Sequence, residues 1–420
     1  MGFLYEKKKL LLLVIFLSIG VVPVVNQPWF QGLGKTPFQV IRKLKSGRCV
    51  MQIDFHHAVT YVAARLAKFS VEDANVISCS AQYVDDAVNS GTIRFRNKAM
   101  YSRISSAHKM LDYRNFKELA NHFTWIPFHF LPGNGGEKAG DNPGGSFVNK
   151  LVCYPDSPVA NDMVNSCIAC HDRDYGLQRL GITMHVLADT FAHQGFAGIN
   201  HKINEVEDLK KEDGDPSGLV KKLGDYFGDF FDGIKNKVVS DAFPLGHGGA
   251  LTCPDMPYLK WSYTNGLGDP VVRDNTKIFM DAVERIHEAM VCFRMKDPDY
   301  TLGDQDKISL EDLDKIRENF LDFEDEEGED RHRKWVNSIA NGDFSFAEKG
   351  QEILSYVHKG INSWKYDALD TKKEVETKNE LFRFSPEFLA SDWKLFHDAL
   401  QIHRIDIIRN ILPRYGICAA

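Results

Sequence analysis

One segment constrains this chain more than any other: residues 177–196, LQRLGITMHVLADTFAHQGF. Leu177, Leu180, Met184, Leu187 and Phe191 recur at helical spacing on one side, and Ile182 and Val186 fall on the other. A helix that is apolar nearly all round must be buried at the centre of its fold. Yet His185, Asp189 and His193 follow one another at four-residue intervals, which stacks them along one narrow stripe. A carboxylate buried without a partner costs on the order of several kcal/mol, so it must be paired, neutralised or bound to a cation. Two imidazoles and a carboxylate are a ligand set that zinc accepts. The competing account is a metal-free His–Asp–His hydrogen-bond network.

Four other segments offer ligands. Gln52 to His57 reads QIDFHH; Asp54 and His56 can turn to one side of an extended stretch, while His57 starts the next helix. Tyr83 to Asp86 reads YVDD; two adjacent acids at a helix end, where they oppose the dipole, are usually solvated, and the competing expectation is that Asp85 or Asp86 serves as a ligand or general base. His129 sits among aromatics and prolines in WIPFHFLP, and His247 lies in the Gly-rich GHGGALTCPD. His108 and His201 are weaker candidates. Cys167-Ile-Ala-Cys170-His171 matches a c-type haem attachment string, but it stands just before the central helix with no distal ligand in view, so a local disulfide or buried thiols fit better. No nucleophile elbow, P-loop or dinucleotide fingerprint is present, so any catalysis should be metal-assisted.

Helical periodicity dominates: 56–68 and 71–88 form a hairpin with Ser70 as N-cap, followed by 157–172, 177–194, 275–293, 345–365 and 386–411. Almost nothing alternates with period two, which predicts an all-α fold: a multi-helix bundle with a helical C-terminal extension. Residues 51–270 read as the metal-binding core and 271–420 as helices packed on it.

Residues 1–50 read as a signal peptide or membrane anchor plus linker. Lys7, Lys8 and Lys9 precede an apolar run of 16 residues, Leu10 to Val25, short for a membrane span of about 20. Export or membrane anchoring through residues 10–25 is the expectation; a start at Met51 would instead leave a cytoplasmic protein. The 8 cysteines do not settle the compartment. A net charge of −7 gives no reason to expect bound nucleic acid.

The run GITMHVLADTFAH, Gly181 to His193, resembles the signature helix of the zinc-dependent phospholipase C family, closest in spacing to the branch that includes the N-terminal domain of glycosylphosphatidylinositol-specific phospholipase D. Single-strand-specific zinc nucleases share the broader fold. The chain is also similar to an uncharacterised bacterial family that opens with an MQxDFHH-like segment. The resemblance implies an all-α fold holding two or three zinc ions. It assigns His56 or His57 as the early ligand, Asp85 or Asp86 as the acid of the second helix, then His129, the pair His185 and Asp189, and His193 and His247 as an outer site. Asp54 is the candidate substitute for the Trp amino terminus that those enzymes use. The implied activity is hydrolysis of a small-molecule or lipid phosphodiester through a metal-activated water oriented by Asp85 or Asp86. The alternative is a non-catalytic, metal-stabilised helical envelope or binding protein.

Overall fold

The computed structural model describes residues 52–107, 118–211, 246–250, 252–374, 377 and 380–418. The apolar run 10–25, Met51 and His108 lie outside the described residues. A π-helical turn, Asp54–Val59, runs straight into α1 (Thr60–Leu66). Ser70 caps α2 (Val71–Asp86), its Oγ accepting from the Asp73 N–H at 3.0 Å, so the hairpin forms where the sequence places it. A short hairpin follows, β1 (Gly91–Phe95) and β2 (Met100–Arg103), and then α3 (Glu118–Phe128). Ser157 caps α4 (Pro158–Ile168), with Pro158 in the first turn, where its missing N–H is harmless. Next come α5 (Gly176–Ala192), the meander β3 (Val206–Lys211), β4 (Lys260–Asn265) and β5 (Pro270–Asp274), and α6 (Asn275–Met295). The remainder is α7 (Leu310–Asp322), α8 (Gly328–Asn341), α9 (Trp364–Leu369), a two-residue strand β6 (Leu381–Phe382), and α10 (Asp392–Ile405), which continues into a π-helical turn.

The central helix is α5. Every residue from Gln178 to Ala192 is buried, and α2, α4, α6 and α10 all pack against it. Its closest neighbour is α2, and Gly181 is the reason. A Cβ at Gly181 would stand 2.2 Å from the Ile77 carbonyl oxygen and 2.5 Å from Ser80 Cβ. With only hydrogen there, the two backbones touch, and Ala81 and Asp85 of α2 come within reach of His185. The main core is continuous from Phe55 through Met290 to Ile417, so helices beyond residue 270 share it with those before.

The fold is not all-α. Among the described residues two three-stranded sheets flank the helices, in the orders β2-β1-β6 and β3-β4-β5. In the first, β1 pairs antiparallel with β2 and parallel with β6. The second is an antiparallel meander with a bulge in β3 between Glu207 and Lys210. Among the described residues no strand exceeds 6 residues. Alternation that brief, as at buried Trp261 and Tyr263 in β4, does not rise above a helical background. The second sheet has a definite task. Its Arg273 reaches the end of α5 and donates to the carbonyls of Phe191, Ala192 and Gln194 at 3.3, 2.8 and 2.8 Å. The last turn of a helix leaves such carbonyls without partners, and a cation there also suits the dipole.

Residues 345–365 do not form the helix their spacing suggests; helix appears there only from Trp364. Glu352 is pulled inward as the acceptor of the Tyr61 hydroxyl at 2.5 Å and of the Arg65 guanidinium at 2.7 Å, and Leu354 and Tyr356 follow it on the inner side while Ile353 faces solvent. Among the described residues no helix is long and apolar enough to cross a membrane.

Gly181→Ala is expected to destabilise the protein by about 1–3 kcal/mol, because the helices must separate to admit a methyl group. Thermal unfolding checks this, and an unchanged melting temperature would contradict the close approach.

Candidate metal centre

His185 projects from the middle of α5 and Asp189 from its last turn, and His193 sits at its C-cap. Three imidazoles are oriented by backbone carbonyls. His185 donates from Nδ1 to the Ala81 carbonyl at 2.8 Å, and His129, just past α3, donates from Nε2 to the Ser106 carbonyl at 3.0 Å. His193 donates from Nδ1 to the His129 carbonyl at 2.8 Å. A carbonyl only accepts, so each contact fixes the ring proton on the outward nitrogen and turns the other nitrogen's lone pair inward.

The inward atoms converge. His185 Nε2 and His129 Nδ1 are 3.2 Å apart, and Asp189 Oδ2 lies 3.3 Å from the first and 3.2 Å from the second. Three acceptors thus face one another with no proton left to share. A metal at about 2.0–2.1 Å from each of them would space tetrahedral ligands about 3.3 Å apart, which is the separation seen. This geometry does not suit a metal-free hydrogen-bond network. Protonation is a poor substitute: burial pushes His129 and His185 down to about 4. Burial opposes charge on Asp189 too, but the neighbouring His193 and His185 outweigh it and hold the carboxyl well below its usual range.

Two further donors complete this inner region. His56 Nε2 is 3.2 Å from the other oxygen of Asp189, without hydrogen-bond geometry, and neither ring nitrogen of His56 has a hydrogen-bond partner. Its ring stacks on His185 at 3.7 Å between centroids. Asp85 Oδ1 lies 3.8 Å from His129 Nδ1 and 3.9 Å from His185 Nε2. An outer group stands alongside: His193 Nε2 and His247 Nε2 are each 3.8 Å from Asp255 Oδ1. The donor atoms fall into three sets, each within 4.8 Å: His56, His185 and Asp189; Asp85, His129 and His185; His193, His247 and Asp255. All these residues are buried, Asp85 being the most exposed at 5%. Buried His and Asp clusters that can hold metal ions are therefore present.

The other sequence candidates are engaged elsewhere. Asp54 pairs with Arg331, its Oδ2 accepting from Nε at 2.6 Å. His57 Nδ1 meets His332 Nε2 at 2.9 Å. Asp86 accepts from the Tyr356 hydroxyl at 2.8 Å. His201 accepts from the Ile203 N–H and caps a short turn. Cys167 is buried at the end of α4 with its thiol pushed up to about 11 by burial, and His171 donates from Nδ1 to the Ile168 carbonyl; neither joins a donor set. None of the described cysteines is in a disulfide.

Asp255 was not among the sequence candidates. It stands in CPD, eight residues after His247, in a stretch that reads as irregular loop. Its signal was an acidic residue held in a Pro-containing turn beside apolar residues. That turn is fixed by Asn275 at the start of α6, which donates from Nδ2 to the carbonyls of Cys253 at 2.6 Å and Met256 at 2.8 Å.

The sequence profile of a family of unknown function, DUF6765, matches residues 51–411. The chain belongs to this family. No curated protein and no solved structure matches it. The family match carries no activity with it, so any likeness to phospholipases rests on the residues themselves.

Chelation should lower the melting temperature by roughly 5 °C for each bound ion, since a ligand well above its dissociation constant adds about 4 kcal/mol to the folded state. Scanning calorimetry with and without a chelator tests this; identical transitions would contradict a metal-bound native state.

Proposed function

We propose that the protein is a metal-dependent, most simply zinc-dependent, phosphodiester hydrolase of the phospholipase C kind. The observation that carries this is ligand sharing. The two oxygens of Asp189 face different imidazoles, His56 on one side and His129 and His185 on the other, so this carboxylate can be common to two sites, while His185, with its Nδ1 proton held by the Ala81 carbonyl, has one lone pair and serves one ion. A purely structural zinc site needs four ligands around one ion, whereas adjacent sites joined through common ligands suit in-line displacement at phosphorus. The resemblance to the phospholipase C family assigns its roles by this order along the chain, His56, Asp85, His129, His185, Asp189, His193 and His247.

Bound at these sites, the metal ions would neutralise the phosphate and lower the pKa of an attacking water towards about 7. Asp85 would orient that water or accept its proton, because it approaches His129 and His185 while Asp86 is taken by Tyr356. Neutral His129 and His185, held by the Ser106 and Ala81 carbonyls, would keep the ligand geometry fixed during the reaction. A lipid headgroup phosphodiester is the preferred substrate. It suits the apolar segment at 10–25, with export or anchoring through it part of the same proposal, and the net charge of −7 disfavours a polyanionic nucleic acid. One observation favours the non-catalytic alternative: every donor is buried, as in closed structural sites.

The test is hydrolysis of phosphatidylcholine in mixed micelles, beside bis(p-nitrophenyl) phosphate and single-stranded DNA, by zinc-loaded full-length protein. Asp85→Asn should lower kcat by about 10²-fold or more while Asp86→Asn keeps most of the activity. A zinc-loaded wild type that cleaves none of the three would favour the metal-stabilised binding protein.

A further inference from the structure

Arg331 is buried to 1% exposure in the first turn of α8, far along the chain from every candidate ligand. All three of its nitrogens are committed. Nε donates to Asp54 Oδ2 at 2.6 Å, and Nη1 to the carbonyls of Asp325 at 2.6 Å and Glu326 at 3.1 Å. Nη2 reaches Gln52 Oε1 at 2.9 Å, Asp54 Oδ1 at 3.3 Å and the Asp255 carbonyl at 3.3 Å. One guanidinium thus grips the backbone that carries Asp255 of the outer donor set and the turn that carries His56 of the inner one, two residues beyond Asp54. Gly328 shows how tightly α8 is seated there: a Cβ would stand 2.2 Å from Gln52 Oε1 and 2.4 Å from Gln52 Cβ.

We propose that Arg331 is a positioning residue for the metal centre, fixing the inner donors relative to the outer ones through Asp54 and the Asp255 carbonyl; this rests on the metal-centre reading above. Charge pairing with Asp54 alone would be served by lysine. The planar fork is needed because its separate N–H groups point at once to Gln52, Asp54, Asp255 and the Asp325–Glu326 turn. The Arg65–Glu352 pair is a built-in comparison, since it is a largely buried Arg–carboxylate contact that touches no donor set.

The experiment uses full-length wild type, Arg331→Lys, Gly328→Ala and Arg65→Lys. Zinc affinity is measured by competition with a chromogenic chelator, and ligand geometry by the visible absorption of the cobalt(II)-substituted protein. Arg331→Lys and Gly328→Ala should lower zinc affinity about ten- to a hundredfold and alter the cobalt spectrum, as loss of an outer support does at metal sites. Arg65→Lys should lower the melting temperature and leave both metal readouts unchanged. Wild-type affinity and spectrum in Arg331→Lys, or in Gly328→Ala if the lysine variant does not fold, would overturn the proposal while leaving the metal centre standing. An equal loss in Arg65→Lys would also overturn it, by showing that any destabilisation weakens the site. A wild type that takes up neither zinc nor cobalt would overturn the metal centre and the positioning role together.

Discussion

A fully buried carboxylate in the last turn of the central helix sets the terms for everything around it. Asp189 is fully buried and, among the described residues, its ion-pairing partners are imidazoles rather than Lys or Arg. Because the facing nitrogens of His129 and His185 present lone pairs, the carboxylate cannot be satisfied by neutral rings alone. Only a cation at the shared point turns mutual repulsion into attraction, and burial works against that cation being a proton. The fold's interior therefore offers a buried cluster that could hold a metal ion at this point.

The polar scaffold around the site is mostly backbone. Carbonyls of Ala81, Ser106 and His129 orient three rings, and Asn275, Arg273 and Arg331 fasten the segments that bring the rings together. These three fasteners come from β5, α6 and α8 and hold segments that precede them in the chain. The C-terminal helices and the second sheet are thus support for the centre as well as packing. The Gly181 contact between α2 and α5 serves the same end by letting the carbonyl of Ala81 reach His185.

The central helix was legible because two periodicities coincide in it, apolar on all sides and polar at every fourth residue, and few structures satisfy both. Choices between adjacent residues were not legible. His56 and His57 differ only by the register of a π-helical turn, where the sequence suggested an extended stretch. Asp85 and Asp86 lie side by side at a helix end, and the Tyr356 hydroxyl, 270 residues away, decides which of them is left for the cluster. Asp54 reads as a ligand until Arg331 arrives from a distant helix. Asp255 escaped notice because loop turns carry no periodic signal, and the small sheets escaped because their alternation is too short. Local pattern reports burial and spacing; partners brought by tertiary contact decide which of two neighbouring groups is used.

The most direct test of the central claim is metal content by elemental mass spectrometry on purified full-length protein, compared with a His185→Ala/Asp189→Ala double variant whose fold is checked by circular dichroism. The account predicts two or three equivalents of zinc in the wild type and a marked loss in a variant that still folds. A folded wild type that carries no metal, and takes up none on dialysis against zinc, would contradict it.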